Sequence, residues 1–212
     1  MPTPGFPPST LDALGTPIWI SDLAPGDMNH TLHVVRGIDP AGALEVLGAK
    51  PELIQLCELP ASSPNEWTSL PCAALGIEPG TSAALLAGRV GEWTFVYDDS
   101  GYTHDGTALS GEGRVSATSV HTINADASLV YAVDGEEVMW INVDDLSLDE
   151  DLPDMPDELR AAFEAAGTVE TEGAEPGEAD SQVAMRAACS LAGMALTLSD
   201  LRRRSLLVVP FG

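Results

Sequence analysis

Residues 129–143 read Leu-Val-Tyr-Ala-Val-Asp-Gly-Glu-Glu-Val-Met-Trp-Ile-Asn-Val. Two runs rich in strand formers, 129–133 and 137–143, flank a turn containing Asp134-Gly135, a dipeptide suited to the positive φ angles of a tight hairpin. Working back along the chain, 82–90 and 92–98 form a second hairpin around Gly91, with Trp93, Phe95 and Tyr97 alternating with Thr94 and Val96. A further strand is expected over 114–122, through Val115, Ala117 and Val120. At least four consecutive strands therefore predict an antiparallel meander at the centre of the fold.

The flanks of that meander read as a mixture. Residues 31–35 predict a strand, and 17–21 a short strand built on Ile18, Trp19 and Ile20. A helix start follows at Asp39, a good N-cap, with Pro40 at the first helical position, where its missing N–H costs nothing. Ala43, Leu44 and Leu47 then recur at helical spacing, and Gly48 supplies the stop. A helix is expected over 52–58. Beyond the last hairpin, Leu159, Ala162, Phe163 and Ala166 mark one face of a helix over 154–166. Val183, Ala187, Leu191 and Met194 mark another over 180–195. Thr197 or Ser199 caps a last turn before Arg202-Arg203-Arg204 and an apolar tail at 206–209. The order predicts an α+β fold, an antiparallel meander packed by helices with a helical C-terminal third. Residues 1–14, rich in proline, are expected to be a flexible N-terminal segment, and 15–212 a single domain.

Charge is the outlying property. The 212 residues hold 33 Asp and Glu against 9 Lys and Arg, a formal net charge of −24. Residues 134–180 hold 17 acidic residues and one basic residue, Arg160, so 47 residues carry −16 of that total. Such a field repels phosphate backbones and attracts basic partners, which excludes ordinary nucleic-acid binding. Within the acidic flank, 168–180 reads as a solvated linker. The first ten residues hold no apolar run of the signal-peptide kind, and the apolar stretches at 83–87 and 206–209 are far shorter than the roughly 20 residues of a membrane span. Cys57, Cys72 and Cys189 are odd in number and form no C-x-x-C pair, so they read as reduced thiols. Together these features point to a cytoplasmic protein with no membrane association.

Chemical motifs are absent where they would be needed. An EF-hand loop begun at Asp145 puts Glu150 where glycine is required and Pro156 where a bidentate glutamate is required. His30 and His33 have H-x-x-H spacing, but in a strand residues three apart point to opposite faces. Ser110 lacks the G-x-S-x-G frame of a nucleophile elbow, and Gly111-x-Gly113 precedes a strand instead of opening a helix. No phosphate loop occurs, and Lys50 is the only lysine. The pair His104-Asp105 is the most active-site-like in the chain. The tryptophans Trp19, Trp67, Trp93 and Trp140 read as core anchors, Trp67 least securely, and the three arginines as complements to a helix C-terminus.

The segments Thr31-Leu-His-Val-Val-Arg-Gly-Ile-Asp-Pro40, Gly88-Arg-Val-Gly-Glu-Trp-Thr-Phe-Val96 and Leu129-Val-Tyr-Ala-Val-Asp-Gly135 resemble an uncharacterised actinobacterial, Streptomyces-type domain family. That family is similar in its order of "RG.DP" helix, "G.WT" strand and "YA.DG" hairpin, over roughly residues 15–200. The resemblance implies a bacterial, cytoplasmic single domain and supplies no catalytic residues.

The expected function is that of a non-catalytic acidic interaction protein, of the immunity or antitoxin kind, binding a basic protein partner. Catalytic, cofactor-binding and metal residues are expected to be none. Its partner-binding residues are expected to be Asp144, Asp145, Asp149, Glu150, Asp151, Asp154, Asp157 and Glu158. The alternative is a small-molecule binder, or an enzyme without a short signature, that uses the loops near His104 and His121. A concave pocket shared by His104, His121 and Trp93 would distinguish it. Oligomeric state has no signal in the sequence.

Overall fold

Alternation along the strand β1 (His30–Arg36) decides the layering, because Leu32 and Val34 enter one apolar cluster and Val35 another, all fully buried. A strand buried on both faces requires cover on both faces. The computed structural model describes residues 3–26, 29–78, 81–103, 105–124, 126–169 and 179–212. Through them runs an eight-stranded antiparallel sheet. Its other strands are β2 (Gln55–Cys57), β3 (Ala83–Val90), β4 (Trp93–Asp98), β5 (Val115–His121), β6 (Ala127–Val133), β7 (Glu136–Asn142) and β8 (Leu206–Phe211). The spatial order is β2-β8-β3-β4-β1-β5-β6-β7.

The expected α+β class with a strand meander stands, with one rearrangement. Two consecutive groups, the β3–β4 hairpin and the β5–β6–β7 meander, are separated by β1, which pairs with both β4 and β5. At the Asp134-Gly135 turn both residues take positive φ, 52° and 82°. This is the geometry that lets two strands continue with their natural twist.

Seven α-helices are present among the described residues: α1 (Ile18–Leu23), α2 (Pro40–Val46), α3 (Leu70–Leu75), α4 (Leu148–Asp151), α5 (Asp157–Ala166), α6 (Val183–Leu191) and α7 (Leu198–Arg202). The larger core lies between the sheet and α1, α3, α5, α6 and α7, with α6 against β1, β5 and β6. The smaller core is closed by α2 over β3, β4 and β8. At the start of α2 the Asp39 carboxylate accepts from Gly42 N at 2.9 Å, as the N-cap reading expects. Thr197 caps α7 in a reciprocal box with Asp200.

Three local expectations are overturned. Residues 18–20 form the helix α1, because Pro17 supplies the preset φ of −53° at the N-cap and Trp19, Ile20 and Leu23 then bury together at helical spacing. Residues 52–58 form a single 3-10 turn followed by β2, with Leu56 exposed and Cys57 buried in strand alternation. The apolar tail is β8, inserted between β2 and β3, so the C-terminal region returns to the sheet after α7. Pro210 lies beyond Val208, where pairing with β2 ends, and sits opposite Ala84 of β3.

A buried ion pair ties the ends of the chain together. Arg186 is fully buried on α6 and donates to both Asp180 oxygens, at 2.8 and 2.5 Å. Its remaining N–H groups reach the carbonyls of Gly15, Ala166 and Gly167. Nearby, Phe6 is buried and Gly5 N donates to Ala165 O at 2.9 Å, so the N-terminal stretch is anchored on α5.

Candidate functional site

Among the described residues β7 is the last strand of the sheet on that side. Met139 and Ile141 face the larger core, which by alternation turns Trp140 to the opposite face. The cover provided by α2 does not extend that far, and Trp140 is 57% exposed beside Val138, 50% exposed. An irregularity in the register between Tyr131 and Ala132 leaves Val138 without an opposite residue, as a β-bulge does. Glu136, Glu137 and the bulge blunt the first half of this edge; Met139–Asn142 form its regular second half.

The chain then folds back beside the edge it has just made. A 3-10 turn (Val143–Asp145), α4 and a second 3-10 turn (Leu152–Asp154) are pinned to the core by Val143, Leu146, Leu148 and Met155. The acids between these anchors point outward. Between this segment and residues 139–142 lies a groove of about 260 Å³, floored by Met139, Ile141 and Met155 and bordered by Asp145, Asp151 and Asp154. No Lys, Arg or His is among its described lining residues.

The eight sequence-predicted acids divide into distinct groups. Asp144, Asp145, Asp149, Glu150, Asp151, Asp154 and Asp157 are exposed, and Glu158 is half-buried. Asp145 accepts from Asn142 Nδ2 at 2.8 Å, and Asp151 from Ser147 N at 2.8 Å. Asp157 pairs with Arg160. Glu158 is committed internally: Arg36 donates to it at 2.7 Å, Tyr131 OH reaches it at 3.4 Å, and the same guanidinium stacks over Trp93 at 5.1 Å. Asp144, Asp149, Glu150 and Asp154 form no ion pair among the described residues. Three of the acids, Asp149, Glu150 and Asp151, also occupy the first turn of α4, where the helix dipole favours negative charge.

Sequence reasoning names the acids beside the groove but not the groove's apolar residues. Of the four tryptophans expected as core anchors, Trp19 and Trp93 are buried, whereas Trp67 and Trp140 are exposed. The burial of Ile141 and Met139 against the larger core sets the direction of Trp140. The sequence does not give its exposure, 57% among the described residues.

The remaining candidates resolve into structural roles. His30 Nδ1 is 2.8 Å from Tyr97 OH on the larger-core side, while His33 lies between Thr118 Oγ1 at 2.8 Å and Thr103 Oγ1 at 2.9 Å. Tyr97 belongs to the larger core and the Asp98–Thr103 network lies on the other side of β4, so the two histidines face opposite ways, as their spacing predicts. His121 sits opposite His30, whereas Trp93 sits opposite Arg36. Six residues of β1 separate those positions, about 20 Å, so Trp93 and His121 do not share the pocket that the alternative reading requires. His104 lies outside the described residues. Ser110 Oγ donates to Thr107 O and accepts from Gly135 N, fastening a loop to the hairpin. All three cysteines are free and buried; burial pushes the Cys57 thiol up to about 11 and the Cys72 thiol, which also sits by Asp99, up to about 12. Arg202 donates to the carbonyls of Pro60 and Ala61, Arg203 pairs with Asp200, and Arg204 reaches Arg89 O. Among the described residues no group of three or more His, Cys, Asp or Glu could hold a metal ion, and no helix is long and apolar enough to cross a membrane.

Comparison with known proteins adds a family. A model described as a family of unknown function, DUF6461, matches residues 17–203. No curated protein and no solved structure matches the chain.

Proposed function

The chain belongs to the DUF6461 family, and from that premise we propose that it is a non-catalytic acidic interaction protein whose β7 groove receives an extended, basic segment of a protein partner. The observation that carries this reading is the coincidence of three features at one place. They are a regular sheet edge at residues 139–142, an exposed apolar pair in Val138 and Trp140, and a border of Asp145, Asp151 and Asp154 with no cation among the described lining residues. An added strand would satisfy its main chain on the edge while its Lys or Arg side chains meet the carboxylates. Its apolar residues would cover Trp140. The net charge of −24 accelerates the encounter with such a partner, and the apolar contact supplies selectivity that charge alone does not.

An immunity- or antitoxin-like protein that neutralises a basic toxin is the role this chemistry fits. Three reduced, buried thiols fit a cytoplasmic setting, and a Streptomyces-type actinobacterial source belongs to the same proposal.

The test is fluorescence anisotropy with a labelled nine-residue peptide of alternating Lys and Val. Binding is expected, and it weakens about tenfold between about 50 and about 300 mM salt. The variant Trp140→Ser, which leaves every charge in place, is expected to lose about tenfold more. A peptide bound equally well by wild type and Trp140→Ser would reduce the interaction to bulk charge and overturn the assignment to this groove.

A further inference from the structure

A second cavity, of about 350 Å³, opens where residues 24–26, 29, 66–69, 99–100 and 123 converge beyond the end of β4. Its size is that of a small-ligand site. At its base stands Asp99, only 4% exposed. Among the described residues every partner of its carboxylate is a neutral donor. The Ser69 hydroxyl, which also caps α3, donates to Oδ2; Cys72 Sγ lies 3.5 Å from the same oxygen; and Ser100 Oγ donates to Oδ1 at 3.0 Å. Asp99 forms no ion pair among the described residues, and Asp98, buried alongside, adds a like charge.

A buried carboxylate without a counter-ion is costly, and a cavity in front of it can be filled by one. The rest of the lining narrows the ligand. Glu66 is a second acidic residue of the lining, and no Lys, Arg or His is among the described lining residues, which disfavours an anion. Trp67, 71% exposed, and Ile123 present apolar surface at the mouth, which suits an organic body better than a bare metal ion. Calcium or magnesium would need six or more oxygen ligands, and no group of three candidate ligands occurs among the described residues. A thiol nucleophile is equally unsuited: with its acidity suppressed by burial first and by Asp99 second, Cys72 stays a neutral thiol at physiological pH.

We propose that this cavity is a binding site for a small organic ammonium ion, with its charged nitrogen at Asp99 and its apolar body against the Trp67 indole. The site shares no residue with the β7 groove, so it stands or falls independently of the partner-binding role. Asp99 is the counter-ion, Ser69 and Ser100 orient its carboxylate, and Trp67 supplies both apolar surface and a cation–π face.

The experiment is an NMR titration with three probes of similar shape, 2-phenylethylammonium, 2-phenylethanol and 3-phenylpropionate, against wild type, Asp99→Asn and Trp67→Ala. For wild type the ammonium probe is expected to shift the amides of Ser69, Ser100 and Ile123 and to bind about tenfold tighter than the alcohol, with no binding of the carboxylate. Asp99→Asn is expected to erase the preference for the ammonium. Trp67→Ala, at an exposed position that leaves the core intact, is expected to weaken it about fivefold. Equal binding of ammonium and alcohol to wild type would overturn the proposal. So would shifts scattered over the acidic flank with none at the cavity, or full affinity in Trp67→Ala. If Asp99→Asn does not fold, the wild-type probe preference and Trp67→Ala still decide the matter.

Discussion

The carboxylates beside β7 and those buried elsewhere in the fold obey opposite rules. Along 144–157 the acids are exposed, and six of them have no ion-pair partner among the described residues, yet the segment holds its place through Leu146, Leu148 and Met155. Asp180, by contrast, is enclosed with Arg186, and Asp98 and Asp99 are enclosed among hydroxyls and backbone N–H groups. The difference teaches where charge is free to serve a partner. A solvated acid costs the fold little and can serve binding, whereas a buried acid is held by a fixed set of donors, and changing it changes stability.

The largest effect that this contrast predicts is at Asp180. Asp180→Ala leaves the Arg186 guanidinium buried without its counter-charge, and urea denaturation should show a loss of about 3–5 kcal/mol. A loss comparable with that of a surface substitution would remove the distinction between the two classes.

Asp99→Asn sharpens the comparison through its sign. Burial raises the Asp99 pKa, so the folded chain holds that proton more tightly than the unfolded chain, and stability falls as pH rises through the raised value. The asparagine variant avoids this loss. It should be the more stable protein at pH 7.5, by on the order of 1 kcal/mol, with the advantage shrinking as pH falls towards the ordinary carboxylate range. Asp200 runs the other way. The Thr197 backbone N–H first, then its hydroxyl and Arg203, hold the Asp200 pKa down to about 2. The stability it contributes is present above the ordinary carboxylate pKa and is lost as pH falls from about 4 to about 2. Asp200→Asn should therefore flatten the acid limb of the stability curve, an outcome that a pH series of thermal melts checks.

Those two assignments also mark what the sequence could carry. The Asp134-Gly135 hairpin, the Asp39-Pro40 helix start and the opposed directions of His30 and His33 were legible because each rests on residues adjacent in the chain. The placement of β8 between β2 and β3, and of β1 between β4 and β5, was not, since pairing partners far apart leave no local trace. The same limit applies to the site. Asp144, Asp149 and Asp154 could be named from charge density, but the engagement of Glu158 by Arg36, 122 residues away, could not. Nor could the exposure of Trp140, which depends on where α2 stops covering the sheet.

The smallest expected effect is on stability at the flank itself. Changing Asp144, Asp149, Glu150 and Asp154 together to Asn or Gln should alter unfolding by no more than about 0.5 kcal/mol, in the stabilising direction if repulsion dominates. The same change should weaken the Lys–Val peptide about tenfold. A large destabilisation would mean that these acids serve the fold and not a partner.

The central claim, that the β7 groove takes up a basic strand, is tested most directly by amide hydrogen exchange of the complex with that nine-residue peptide. The amides of residues 139–142 that have no strand partner on the outer edge should exchange markedly more slowly when the peptide is bound, and the Trp140 indole resonance should shift. Unchanged exchange along β7, with peptide-induced shifts spread over the acidic surface, would contradict it.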